Sequence, residues 1–214
     1  MLSALAAAHG CDKADANHTH LNRSYCDVYA QYFEPIRFEP VVLLELGIRD
    51  GASLRMWSDY FPRAEIHGVD IDAAAVQTVD MSKYPRVSMH IADQSKPEQL
   101  ERVLQTIGKP IDIVIDDASH LVDHQLISHS VLAPHTRRFY VLEDMRCSYG
   151  EFLEGHDLRA IWPGMKYNDP WEPNDRSKID KWLQDLQRQM DFHTSQKLAA
   201  IHSHPMLVFL EYFF

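Results

Sequence analysis

The chain has 214 residues, 45% of them hydrophobic, and a formal net charge of -10. That content is enough to bury one full core, so residues 1–214 read as a single domain. The negative balance disfavours a nucleic-acid surface or a polybasic membrane patch and suits small neutral or cationic partners. No apolar run is long enough to span a membrane. Cys11, Cys26 and Cys147 are odd in number, far apart and without a CxxC pair. They indicate neither a disulfide framework nor a thiolate zinc site, and a reducing cytoplasm is the expected location. The opening MLSALAAAHG lacks the basic leader and the apolar length of a signal peptide.

In chain order, an N-terminal helical segment is expected over residues 1–38, where Tyr25, Val28, Tyr29, Tyr32 and Phe33 recur at helical spacing, as on a helix packed against the core. PVVLLELG (40–47), EIHGVDID (65–72) and RVSMHIAD (86–93) are apolar runs that end near Gly or Asp and read as parallel strands. Pro97 and Gly108 bracket a crossover helix with Leu100, Val103, Leu104 and Ile107 on one face. IDIVIDD (111–117) and RRFYVLED (137–144) repeat the pattern of apolar run followed by acids. Residues 145–174, with aromatics that include Trp162 and Trp171, are too long for an ordinary connection and read as a lid over the site. A helix with Ile179, Trp182, Leu183, Leu186 and Met190 follows, then two strands broken near Pro205. The pattern predicts an α/β class: a Rossmann-like, doubly wound sheet of about seven strands with helices on both faces. Burial on both faces accounts for continuous rather than alternating apolar runs.

Chemistry gathers at the carboxyl ends of these strands. Glu45, Gly47 and Gly51 form an ExGxxxG pattern at a strand-to-helix turn, with Ser53 just beyond it. Such glycines permit a tight turn and close approach of main chain to a ligand. The pattern is neither GxGxxG nor a phosphate loop, so a nucleoside without phosphates is the better guest. Asp70 stands where an acid accepts hydrogen bonds from both ribose hydroxyls. Asp93 with Gln94 lies next along the same edge, near enough to address an adenine. Acids at such turns also serve as helix caps.

Asp117, from one strand, and Glu143 with Asp144, from the next, converge at that edge, and three carboxylates there require a cation. Oxygen-only donors suit Mg²⁺ or Ca²⁺, with Mg²⁺ preferred. Asp116 points to the opposite face from Asp117, as a structural group or a neighbour of the cofactor. Among 13 histidines, His120 is singled out by its position three residues after a proposed ligand, at an expected helix start. The HTH at 18–20 and HSH at 202–204 have no adjacent carboxylate partner and are expected to be bystanders.

LLELGIRDGASLRMWSDYFPRAEIHGVDID together with IADQS, IDIVIDDASH and FYVLEDM resembles the S-adenosylmethionine-dependent sugar O-methyltransferases of the macrocin and mycinamicin type, over roughly residues 10–145. The resemblance implies a Rossmann-like sheet with a final antiparallel strand, a magnesium ion and a histidine base. Residue by residue, it implies Asp117, Glu143 and Asp144 as metal ligands and His120 as the base. Ala118 departs from the usual glycine between the Asp pair and Ser119. The cephalosporin hydroxylase group shares the DDxSH and ED pattern, so a hydroxylase component is an alternative, and a non-catalytic nucleoside-binding module another. The leading expectation is an S-adenosylmethionine- and Mg²⁺-dependent enzyme that methylates a hydroxyl, on a sugar, of a small glycosylated bacterial metabolite. Homo-oligomers are compatible with it.

Overall fold

The computed structural model describes residues 1–15, 23–149, 174–195 and 197–213. A seven-stranded sheet forms its centre, in the order β3-β2-β1-β4-β5-β7-β6. The strands are β1 (Val42–Leu46), β2 (Glu65–Asp70), β3 (Val87–Ile91), β4 (Ile111–Asp116), β5 (Thr136–Leu142), β6 (Leu198–His204) and β7 (Leu207–Tyr212). Neighbours pair in parallel from β3 through to β5, and β7 is antiparallel to both β5 and β6. The strand order reverses between β1 and β4, which opens a crevice at the carboxyl ends of those strands.

The helices are α1 (Leu2–Ala8), α2 (Tyr25–Phe33), α3 (Ala52–Tyr60), α4 (Ala73–Thr78), α5 (Pro97–Ile107), α6 (Val122–Leu132) and α7 (Arg176–Asp191). Two apolar layers cover the sheet. One packs α1, α2 and α3 residues such as Leu2, Tyr29 and Trp57 on Leu43, Ile113 and Phe209. The other packs Leu100, Val103 and Ile107 of α5, Leu132 of α6 and Ile179 of α7 on Leu44, Val114 and Tyr140. The expected α5 begins at Pro97 and ends on Gly108 in the left-handed conformation, as its punctuation implies. Ser24 caps α2 by a reciprocal pair with Asp27, which fixes where that helix starts.

One strand departs from expectation. β3 is not buried on both faces: it lies at the sheet edge, its residues are half-buried or exposed, and Ile91 is 52% exposed. An apolar run therefore marks a strand without marking its place in the sheet. The HSH pair is on β6, where His202 Nε2 lies 2.8 Å from Glu211 Oε2 and His204 Nε2 lies 2.6 Å from the Tyr32 hydroxyl. The HTH stretch falls outside the described residues, as do Trp162 and Trp171 and most of the expected lid.

His129 on α6 sets an acid-side weakness. Its Nε2 lies 3.0 Å from the Tyr212 hydroxyl and its ring packs edge-on against Tyr140 and Trp182. Burial pushes the imidazole down to about 4 from 6.5. The unfolded chain therefore takes up this proton first, and stability falls as pH drops from 6.5 towards 4, by up to about 3 kcal/mol. Urea unfolding midpoints across that range should fall less steeply for His129→Gln than for the wild type.

Candidate active site

The carboxyl edge of the sheet is drawn together by main-chain contacts between loops. Gly47 N donates to Val69 O at 2.8 Å, Asp117 N to Leu46 O at 3.0 Å and Glu143 N to Asp116 O at 3.0 Å. Gly47 has φ 86°, and a Cβ on it would stand 2.2 Å from Asp117 O. This glycine is thus required by the approach of the β4 loop, a reason different from the ligand approach expected from the motif. At Gly51, with φ 74°, the added atom would meet the Val79 and Met81 side chains at 2.5 Å.

Asp70 ends β2 and ties the glycine turn to itself: its Oδ2 accepts from Ile48 N at 3.0 Å and Arg49 N at 3.2 Å, and its Oδ1 from Asp72 N at 2.9 Å. It remains half-buried beside the crevice. Asp93 closes the turn before α5, accepting from Ser95 N at 2.8 Å and Ser95 Oγ at 2.7 Å. Gln94 is buried; its Nε2 donates to Asp116 and its Oε1 accepts from Ser119 N at 3.1 Å, which links the β3 and β4 loops. Ser53 Oγ donates to Glu45 Oε2 at 2.6 Å beneath the glycine turn. Asp116 is fully buried and accepts from Gln94, Ser128 and Tyr140, with burial pushing its carboxyl up against those bonds. Of the two roles open to it, the structural one describes these contacts.

Asp117 and Asp144 keep about a quarter of their side chains exposed, at 22% and 25%. His120 Nε2 lies 3.4 Å from Asp144 Oδ2 and 4.0 Å from Asp117 Oδ1. His120 and Asp144 both adopt left-handed backbone, at φ 55° and 54°, a conformation that costs a non-glycine residue free energy and is found where surroundings enforce it. For His120 the enforcing group is Asn174. Its Nδ2 donates to His120 O at 2.9 Å and Cys147 O at 2.8 Å, and its Oδ1 accepts from Val122 N at 2.9 Å. α6 begins only at Val122, so His120 sits ahead of the helix start at which the sequence placed it.

Glu143 is buried behind this pair. Its carboxylate accepts from the Tyr29 hydroxyl and lies 2.9 Å from Lys13 Nζ. Burial, then the nearby Asp117 charge, push its carboxyl well above the usual range. The Tyr25 hydroxyl donates to Asp144 Oδ1 at 2.5 Å. Two groups of donors lie close enough to share an ion: Asp117, His120 and Asp144, and Glu45, Asp117 and Glu143. Periodicity placed Tyr25 and Tyr29 on the buried face of a helix but left their hydroxyls unassigned; tyrosine rather than phenylalanine at buried positions was the available signal. Lys13 gave none.

Against known proteins, the chain is 33% identical to 8-demethyl-8-alpha-L-rhamnosyl tetracenomycin-C 2'-O-methyltransferase of Streptomyces olivaceus, across 98% of this chain and 54% of that protein. It belongs to the macrocin- and mycinamicin-type sugar O-methyltransferase family. Mycinamicin VI 2''-O-methyltransferase of Micromonospora griseorubida is 36% identical over 64% of this chain and 32% of its own length. The solved structure of MycE methyltransferase in complex with Mg, SAH and mycinamycin VI superposes with a TM-score of 0.72 at 29% identity, over 99% of this chain and 54% of that one. The chain thus spans about half the length of the O-methyltransferases it matches. No protein-family model matches it. Its α/β sheet, parallel but for one antiparallel strand, is the Rossmann-like methyltransferase fold.

Proposed function

We propose that this chain is an S-adenosylmethionine-dependent, Mg²⁺-assisted O-methyltransferase acting on a sugar hydroxyl of a glycosylated bacterial natural product. The observation that carries the reading is the gathering of Asp117, His120 and Asp144 at the sheet's carboxyl edge, beside the crevice bordered by Gly47 and Asp70. The likeness to MycE, solved with Mg, SAH and mycinamycin VI, supports it. A glycosylated small molecule is the proposed partner. Among the described residues no helix is long and apolar enough to cross a membrane, and the three cysteines are free thiols, which suits a cytoplasmic enzyme.

The donor set fits magnesium. Asp117 and Asp144 offer hard oxygens at the exposed face, and Glu143 is the third acid of the proposed set, held behind them. When bound, the sulfonium cofactor supplies an activated methyl group and the cation a Lewis acid that lowers the acceptor hydroxyl's pKa. The remaining work belongs to the chain. His120 is placed to take the hydroxyl proton on Nε2. Asp70, with its carboxylate already aligned by Ile48 N and Arg49 N, is placed to accept from the ribose hydroxyls. Glu45, Gly47, Gly51 and Ser53 shape the turn beneath the cofactor, with Asp93 and Gln94 completing the border.

Calorimetry tests the cofactor assignment. S-adenosylhomocysteine should bind the wild-type chain, and Asp70→Ala should weaken binding by about tenfold or more, since hydrogen bonds to a charged group contribute roughly 1.5–3 kcal/mol. Binding of NAD in its place would overturn the proposal while leaving the fold intact.

A further inference from the structure

Lys13 occupies a place that its sequence surroundings do not announce. It lies in the 3₁₀ turn Asp12–Ala14 and is 2% exposed. Its ammonium bonds to Asp117 Oδ2, lies 2.9 Å from the Glu143 carboxylate and 3.5 Å from Glu45 Oε1. Two carboxylates at strand ends, Asp117 and Glu143, thus accept from the ammonium, and a third, Glu45, lies within ion-pair distance of it. A charge so enclosed is retained only where its partners compensate it.

We propose that Lys13 is the resident cation of the carboxylate site. Its ammonium offsets part of the negative charge of the inner edge formed by Glu45, Asp117 and Glu143 and ties these strand ends together, so the metal-free protein keeps its active-site loops assembled. A divalent ion then meets a site of reduced negative charge, whose exposed oxygens are those of Asp117 and Asp144. The assignment concerning the divalent ion rests on the metal reading above, whereas the charge-offsetting role stands on the geometry of this chain alone. Lys13 is accordingly a positioning residue: it acts on the substrate only through the carboxylates it holds.

The test is thermal unfolding of the wild type, Lys13→Met and the double variant Lys13→Met/Glu143→Gln, each in EDTA and in Mg²⁺, with Mn²⁺ binding followed by electron paramagnetic resonance. Removing one partner of a buried ion pair should lower the metal-free melting temperature of Lys13→Met by about 6–20 °C. Mg²⁺ should raise it by more than it raises the wild type, and Mn²⁺ should bind the variant more tightly, by about tenfold or more for one uncompensated carboxylate at close range. The double variant, which loses the excess negative charge as well, should recover much of the metal-free stability. That comparison decides the matter even where the single variant is purified only with metal. A metal-free melting temperature unchanged in Lys13→Met, or a double variant less stable than the single one, would overturn the role. An equal Mg²⁺ shift in wild type and variant would do the same. Wild type that binds no Mn²⁺ would overturn the metal assignment instead, and the comparison in EDTA would still judge Lys13.

Discussion

Replacing His120 with Ala is expected to lower turnover by about 10²- to 10⁴-fold, the usual scale of general-base assistance, while S-adenosylhomocysteine and Mg²⁺ binding stay largely intact. The residue is 5% exposed, its Nε2 faces Asp144 and Asp117, and its carbonyl accepts from Asn174, so the imidazole is held in place and not free to swing away. Alanine also has to adopt the left-handed conformation at this position, which adds a structural cost. Asn tolerates that conformation, so His120→Asn separates the two effects. Similar losses in both variants assign the loss to chemistry. Substituting Ala for Asp117 or Asp144 should behave differently, giving a very low rate that no longer responds to added Mg²⁺. Initial rates across a Mg²⁺ titration distinguish the two patterns, and near-normal turnover in either His120 variant would contradict the base assignment.

Gly47→Ala should be the most damaging methyl addition among the described glycines. The added carbon would meet main-chain atoms, Asp117 O at 2.2 Å and Ala118 Cα at 2.8 Å, in a residue whose φ of 86° already disfavours any side chain. A flexible side chain could yield; a carbonyl at the end of a central strand yields only if the β4 loop moves, and that loop carries Asp117 and His120. Destabilisation of about 2–4 kcal/mol is expected from overpacking and backbone strain together, with S-adenosylhomocysteine binding weakened as well. Gly51→Ala, where the neighbours are the side chains of Val79 and Met81, should cost less. Equal unfolding midpoints for the two variants would contradict this reading of the turn.

These contrasts show what was legible in the chain and what was not. The five parallel strands were marked by apolar runs stopped by acids or Gly; for β1, β2, β4 and β5 the reason is burial inside the sheet, which leaves little solvent face to alternate with, whereas β3 carries such a run at the sheet edge. The period of two along β4 correctly separated Asp117, at the open edge, from Asp116, which Gln94, Ser128 and Tyr140 bury. Neighbouring strands then bring Asp117 and Asp144 together without further information. Long-range side-chain pairing was another matter. Lys13 is 104 residues from Asp117 and 130 from Glu143, and a single lysine in CDKAD has no periodicity to betray it. The same holds for Asn174, whose amide holds the His120 loop across 54 residues. Nor does a glycine state why it is needed: the pattern at Gly47 fits a ligand's approach and a neighbouring loop's approach equally well.

The most direct test of the central claim is release of S-adenosylhomocysteine from S-adenosylmethionine by the purified chain with a glycosylated natural-product acceptor that it binds, assayed with Mg²⁺ and again after chelation. Product should form at a rate that requires both acceptor and Mg²⁺, should fall to background in EDTA and should return when Mg²⁺ is restored. Turnover undiminished by chelation would contradict the metal-assisted mechanism, and no product with acceptor, cofactor and Mg²⁺ all bound would contradict the methyl transfer itself.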